Sequence, residues 1–414
     1  MVTNLFDNGP GSLRAAIASA NNGDTINFAA GLAGGTITLD PVNGPLVVNT
    51  NLTIRGIGAS GQPIISGNEV TQVFVIDPGA TDTISDLSIV HGNADFGNHV
   101  SSDQGGGGIL NFGTLTLDHC ALSDNHADGS IGAGGGICNS GGTLTVDHCT
   151  LSDNHADGGG GGGSGGGIGN LAGTVTIEQC TLTGNDADGS GVGGGAILNF
   201  DTMTVDHSTL SGNHADGSYT GGGGINNYSG TLTVDHCTLS DNHADDSWYG
   251  GGGGISNFAT LTVDHSTLSG NHANDCYFGG GGILNSGTMT VDHSTLSGNH
   301  ADGGFGGGGI NTFGALTVDH STFSDNHADG CDDGGGGGIL NGGAGTVALD
   351  HSTLTGNHAD GSTYGGGGIC NLFATVSLDY LTVTGNSATV GADLYSLGGP
   401  FTLDHSTVGV SVIE

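Results

Sequence analysis

Short apolar alternations recur along nearly the whole chain, each bounded by glycine or by a polar pair. Thr231-Leu232-Thr233-Val234 and Thr260-Leu261-Thr262-Val263 set two aliphatic side chains on one face and two threonines on the other, as a half-buried strand does. Alternation then breaks at Asp-His and resumes in a segment such as Ser208-Thr209-Leu210-Ser211-Gly212-Asn213-His214-Ala215. From the acidic residue to that alanine the interval is nine in every copy: 118 to 127, 147 to 156, 178 to 187, 206 to 215, 235 to 244, 264 to 273, 292 to 301, 319 to 328, 350 to 359 and 379 to 388. The isoleucines closing the glycine runs (Ile109, Ile137, Ile168, Ile197, Ile225, Ile255, Ile283, Ile310, Ile339, Ile369) return every 27 to 31 residues. A fixed interval between variable ones marks a held register joined by tolerant loops.

Three short strands per period cannot close a domain, but stacked coil on coil they bury a continuous aliphatic column, with strands ~4.8 Å apart. The leucine-rich, propeller and calcium-nonapeptide frameworks each need a pattern that this period lacks. The pattern therefore predicts an all-β, single-stranded parallel β-helix (a solenoid). Residues 1–30 differ. Ser12 can N-cap a short helix with Leu13, Ala16, Ile17 and Ala20 on one face, placed to cap the open end before the strand at Thr25-Ile26-Asn27-Phe28. Irregular coils follow over 31–104, with strands expected at Thr36–Leu39, Leu46–Val48, Asn51–Ile54, Ile64–Ile65, Val73–Ile76 and Thr83–Leu87. Tandem coils occupy 105–390 and an end coil 391–414, all expected to form one continuous solenoid domain.

Composition sharpens this. There are 89 glycines but six prolines and no G-X-Y period, which excludes collagen. No proline falls between Pro78 and Pro400, as suits strands that need every N–H. Forty acidic residues face two basic ones, Arg14 and Arg55, for a net charge of −38. Such a chain repels nucleic acid and anionic membrane and attracts cations or basic partners. No stretch is apolar and long enough to insert in a bilayer, and the first thirty residues lack a signal peptide's basic start and apolar middle. Cys120, Cys149, Cys180 and Cys237 take a place that is Ser in other copies and read as small buried residues; Cys276 and Cys331 fall in variable loops, where oxidation is easier.

Equal spacing turns each sequence position into a row. The Asp-His row is His119, His148, His207, His236, His265, His293, His320 and His351; the Asn-His row is His126, His155, His214, His243, His272, His300, His327 and His358. A third row is the Asp after Ala, which includes Asp128, Asp157, Asp216, Asp302, Asp329 and Asp360. Both histidines are expected at corners and pointing outward, with the Asn before the second one stacked inward as an amide ladder. Carboxylates ~5 Å apart repel by ~3 kcal/mol at an effective dielectric near 20, so the Asp row calls for water, cations or raised pKa values. Calcium suits carboxylates beside glycine-loop carbonyls, and zinc, nickel or copper suits imidazoles. The opposing reading is that duplication merely copies a surface residue. The third copy, with Glu178-Gln179 and Asn185-Asp186, loses both histidines, as the last does at Tyr380 and Ser387.

Gly11-Ser12-Leu13-Arg14-Ala15-Ala16-Ile17 followed by Gly23-Asp24-Thr25-Ile26 resembles the opening of bacterial secreted or surface β-helix proteins. Gly194-Gly195-Ala196-Ile197 and Phe323-Ser324-Asp325-Asn326 resemble the GGAI and FxxN motifs of polymorphic outer membrane proteins, with GGGI and LxxN standing in elsewhere. The resemblance implies a right-handed, extracellular or cell-surface bacterial solenoid, without the membrane barrel of an autotransporter. The function expected is structural or adhesive: self-association end to end or laterally, divalent cations bound on the Asp and His rows, and contact with surface glycans. Two alternatives remain. A carbohydrate hydrolase needs only two suitably placed carboxylates, but near-identical coils offer no unique pocket, and Asp245-Asp246 and Asp332-Asp333 are loop irregularities. An ice- or mineral-binding solenoid would use the outward T-x-T pairs, which Ala315 and Ala348 interrupt.

Overall fold

A computed structural model describes the chain except residues 59–60, 95–104, 128–132, 158–162, 190, 332–333, 344, 362 and 414. Asp128 and Asp332-Asp333 therefore lie outside the described residues. Among the described residues the fold is an all-β, right-handed parallel β-solenoid of about 12 turns with one short N-terminal α-helix. Packing divides the chain into two compact units, Met1–Gly191 with Ala196–Thr204, and Val192–Gly195 with Val205–Glu414.

In the first unit the helix spans Leu13–Ser19; Ser12 Oγ accepts from Ala15 N, and Leu13 and Ile17 are the buried face. Arg14 fixes the helix by donating to Asp7 and to the carbonyls of Asn43, Gly44 and Pro45. The irregular coils keep strict register despite their unlike sequences. Ile26, Ile54, Ile84, Leu117, Val146 and Ile177 are successive partners in parallel pairing, which makes one aliphatic column. Five of the six strands expected over 31–104 fall within a residue or so of the observed Thr36–Thr38, Leu46–Val48, Leu52–Arg55, Ile64–Ser66 and Phe74–Ile76; the sixth is Thr81–Ser85.

In the second unit the regular coil reaches five strands rather than the three expected. One coil runs Phe278–Gly280, Ile283–Asn285, Thr288–Asp292, Thr295–Ser297 and His300–Asp302, and each pairs in parallel with its equivalent one coil later. Val234, Val263, Val291, Val318, Leu349 and Leu378 form the matching column. The glycine run is thus a buried strand and not the cation-facing loop expected. Its glycines answer to a close approach: a Cβ at Gly308 would fall 2.5 Å from both His327 N and Gly337 O. Backbone lies there directly on backbone, with no room for a methyl.

Polar ladders stitch the interior. Asn213, Asn242, Asn271, Asn299, Asn326, Asn357 and Asn386 each donate Nδ2 to the next Oδ1 at 2.9 Å. Asn386 Nδ2 ends the chain of donors on Asp393 Oδ1. In the first unit Asn125 Nδ2 donates to Asn154 Oδ1 and Asn154 Nδ2 to Asn185 Oδ1 in the same way. A second amide ladder, at the I-x-N asparagines, was not foreseen: Asn227, Asn257 and Asn285 link at 2.8 Å and end on Thr312 Oγ1. All eight cysteines are buried thiols. That holds for Cys120, Cys149, Cys180 and Cys237 as expected, and it corrects the loop-exposed reading of Cys276 and Cys331, which sit on an inward row with Ser218 and Ser247.

Candidate functional site: the outward histidine and aspartate rows

The first row owes its shape to the backbone. His119 and His148 have φ of 51° and 50°, and His207, His236, His265, His293, His320 and His351 lie between 42° and 49°. Each is a left-handed corner between the T-x-T strand and the next, a conformation that Asn, Asp and His adopt more readily than most side chains. The preceding aspartate then turns back onto the ring: in the second unit Nδ1 lies 2.6–2.8 Å from its Oδ1 at all six histidines. The contact has the geometry of a hydrogen bond at His207 and His236, where a carboxylate that only accepts calls for the proton on Nδ1. At Asp264, Asp292, Asp319 and Asp350 the Oδ1 is close to the ring but has no hydrogen-bond partner among the described residues.

Successive rings stack. His207, His236, His265, His293, His320 and His351 follow one another at centroid distances of 4.7–4.9 Å, with planes 1–4° apart. His119 and His148 stack alike at 4.7 Å. Tyr380, read from the sequence as a break, keeps the stack at 4.7 Å from His351 and 4.5 Å from His405. His405 belongs to this row and was missed, because its Asp404-His405 pair lies beyond the last full repeat.

The second row is not a corner. Asn points in, His out, Ala in and Asp out, so the histidine and the aspartate two residues later share one strand face. Rows two and three are therefore one mixed row. His155, His300 and His358 place Nε2 2.9, 3.0 and 2.7 Å from Asp157, Asp302 and Asp360. His300 also reaches Asp329 at 3.7 Å. At His155, whose proton is held up to about 9, the imidazolium offsets the carboxylates beside it. His214, His243 and His272 stack at 4.9 Å, whereas His126 and His155 tilt by 51° and His327 and His358 by 62°.

Electrostatics divides the row. His155 is pushed up to about 9, first by its hydrogen bond to Asp186 and then by the charges of Asp157, Asp186 and Asp188. His243 and His272 are lowered, first by burial and then by neighbouring imidazoles. His119 is raised by the hydrogen bond and charge of Asp118.

Asp-His pairs with the next coil's His bring ligand atoms within 4.8 Å, as at Asp206-His207-His236 and Asp264-His265-His293. The preceding aspartates, Asp206 and Asp264 among them, were not among the expected ligands. Their fixed place before His was the signal. Parallel rings nearly 5 Å apart cannot both bind one ion at the 2.0–2.1 Å of a metal–imidazole bond, since even a linear bridge spans only ~4.2 Å. The row as built suits one ion per imidazole at Nε2, with the aspartate orienting the ring from behind.

Residues 137–323 match the family model described as "Right handed beta helix region". Two solved structures are similar over most of the chain. Tailspike protein 3 of bacteriophage CBA120 has 11% identity and a TM-score of 0.43, with 98% of this chain and 61% of that one covered. The catalytic unit of the GH87 alpha-1,3-glucanase of Streptomyces thermodiastaticus strain HF3-3 has 16% identity and a TM-score of 0.41, with 99% and 69% covered. The chain thus spans less than two thirds of the tailspike chain. No curated protein matches it in sequence. Among the described residues no helix is long and apolar enough to cross a membrane.

Proposed function

We propose that the chain is an extracellular structural or adhesive β-helix whose outward rows hold divalent cations. The observation that carries this is the Asp-His row: six consecutive coils of the second unit present the same half-exposed imidazole, stacked in line, with an aspartate beside its Nδ1. A carboxylate on the far nitrogen is the support that metal-bound histidines ordinarily have. Zinc, nickel or copper fits this nitrogen row better than calcium does. Calcium's oxygen ligands would be Asp302, Asp329 and Asp360, where it must displace His300 and His358 from contacts of 3.0 and 2.7 Å.

Ions on adjacent coils repel. Each carries a net single charge after its aspartate is counted, so at ~4.8 Å the cost is about 3 kcal/mol at an effective dielectric near 20. Occupancy then starts on alternate coils and weakens as it fills. The adhesive part follows from charge. A chain at −38 approaches a second copy, or an anionic surface glycan, only with cations between them.

Calorimetric titration with zinc or nickel tests this. Replacing His236, His265 and His293 with asparagine keeps a residue that tolerates the left-handed corner and removes three ligands. Uptake is expected to fall, and sedimentation in the presence of metal to show less association. Unchanged uptake in the triple variant would sink the reading.

A further inference from the structure

The aromatic residues of this aromatic-poor chain are unevenly placed. Tyr219, Tyr249 and Tyr277 are exposed on three successive coils of the second unit, on the segments that enter the glycine strands. Tyr219 and Tyr249 stack at 5.6 Å with planes 14° apart, so their faces are turned to each other. Trp248 N donates to Ser218 O and Tyr249 N to Tyr219 O, so two aromatic residues of one coil stand beside Tyr219 of the last; the indole lies 5.7 Å from the Tyr219 ring, tilted by 47°, and Trp248 remains 78% exposed. It is the only tryptophan of the chain. Holding such a side chain in water is costly, and a partner that covers it recovers that cost.

Charge and ring orientation select the partner. Trp248 and Tyr277 share the walls of one shallow depression with Asp246 and Asp275. Both aspartates occupy left-handed corners, at φ 53° and 52°, and both are exposed. A second copy brings the same carboxylates and a net charge of −38, so like faces repel. An anionic ligand is refused on the same ground. A neutral glycan would stack along a run of parallel open ring faces, but here the rings are turned across one another: Tyr219 stacks on Tyr249, Trp248 lies tilted by 47° to Tyr219, and Tyr277 packs edge-on against Phe278 and Phe305. One aromatic face beside two carboxylates is the arrangement that receives an ammonium or a planar guanidinium.

We infer that Trp248, Tyr277, Asp246 and Asp275 form a docking site for the arginine or lysine side chains of a basic polypeptide segment.

Octa-arginine titrated against the intact chain at physiological salt, read by the fluorescence of the sole tryptophan, tests this. A saturable change is expected. The double variant Asp246→Asn/Asp275→Asn keeps the fluorophore and is expected to bind about tenfold more weakly, the scale of one cation–π and ion-pair contact. Asp124→Asn/Asp153→Asn removes the same charge elsewhere and should bind as the unaltered chain does. Equal weakening in both double variants means diffuse attraction to an acidic protein and overturns the proposal. So does saturation by a neutral oligosaccharide with no response to octa-arginine, or a concentration-dependent fluorescence change without any ligand, which would mark a second copy as the occupant.

Discussion

Single residues show how position decides charge state. His155 binds its proton more tightly folded than unfolded, because carboxylates surround it and its value rises to about 9. Its stabilising contribution is therefore complete below about pH 6.5 and is lost as pH rises through about 9. His243 and His272 have the opposite sign: burial lowers them, so stability is lost as pH falls below the ordinary histidine range. Imidazole resonances followed by NMR should show His155 still protonated at pH 8 and both others neutral at pH 6.5. A common midpoint for all three would contradict the geometry. Asp82 is a second case. It is 3% exposed, sits opposite Leu115 in the register, accepts from Leu52 N, and is raised to about 6 by burial. Stability should fall as pH rises from about 4 to about 6. Asp82→Asn, which keeps the acceptor for Leu52, should stabilise by about 2 kcal/mol at pH 7 and little near pH 4, as denaturant midpoints would show.

At the scale of the element, regularity made some features legible and concealed others. The nine-residue interval announced the inward Asn, because a buried amide must find the same partner in every coil. Asn271 N and Nδ2 both donate to Asn299 Oδ1, and Asn299 Nδ2 donates to Leu268 O and Asn326 Oδ1. Asn299→Ala strands several buried groups at once and should cost about 3 kcal/mol or more in denaturant unfolding. A loss under 1 kcal/mol would mean that the ladder is dispensable. The glycine strand was not legible, since a run of glycine reads as a loop by propensity. Only the contact between Gly308, His327 and Gly337 shows that these positions lack room for any side chain. Gly308→Ala should accordingly destabilise, although alanine is ordinarily the better strand former. The pairing of the two acidic-histidine rows was hidden for a related reason. His300 and Asp302 are two apart on a strand, but the pattern placed that histidine at a corner.

For the molecule as a whole, the sequence spoke for the stacking of coils and was mute on chemistry. Register and the outward corner followed from periodicity; the parallel stacking of the rings did not, because it depends on how each aspartate turns back onto the ring that follows it. Once Asp and His are locked at that corner, part of the chain's net charge of −38 becomes an ordered array. The measurement closest to this account is anomalous diffraction from crystals soaked in nickel or zinc. It should show ions about 2 Å from Nε2 of His207, His236, His265, His293, His320 and His351. Alternate coils should fill first, and neighbouring filled positions should be separated by whole multiples of the 4.7–4.9 Å stacking distance. Ions scattered over the acidic surface with none along that line, or none bound at all, would contradict it.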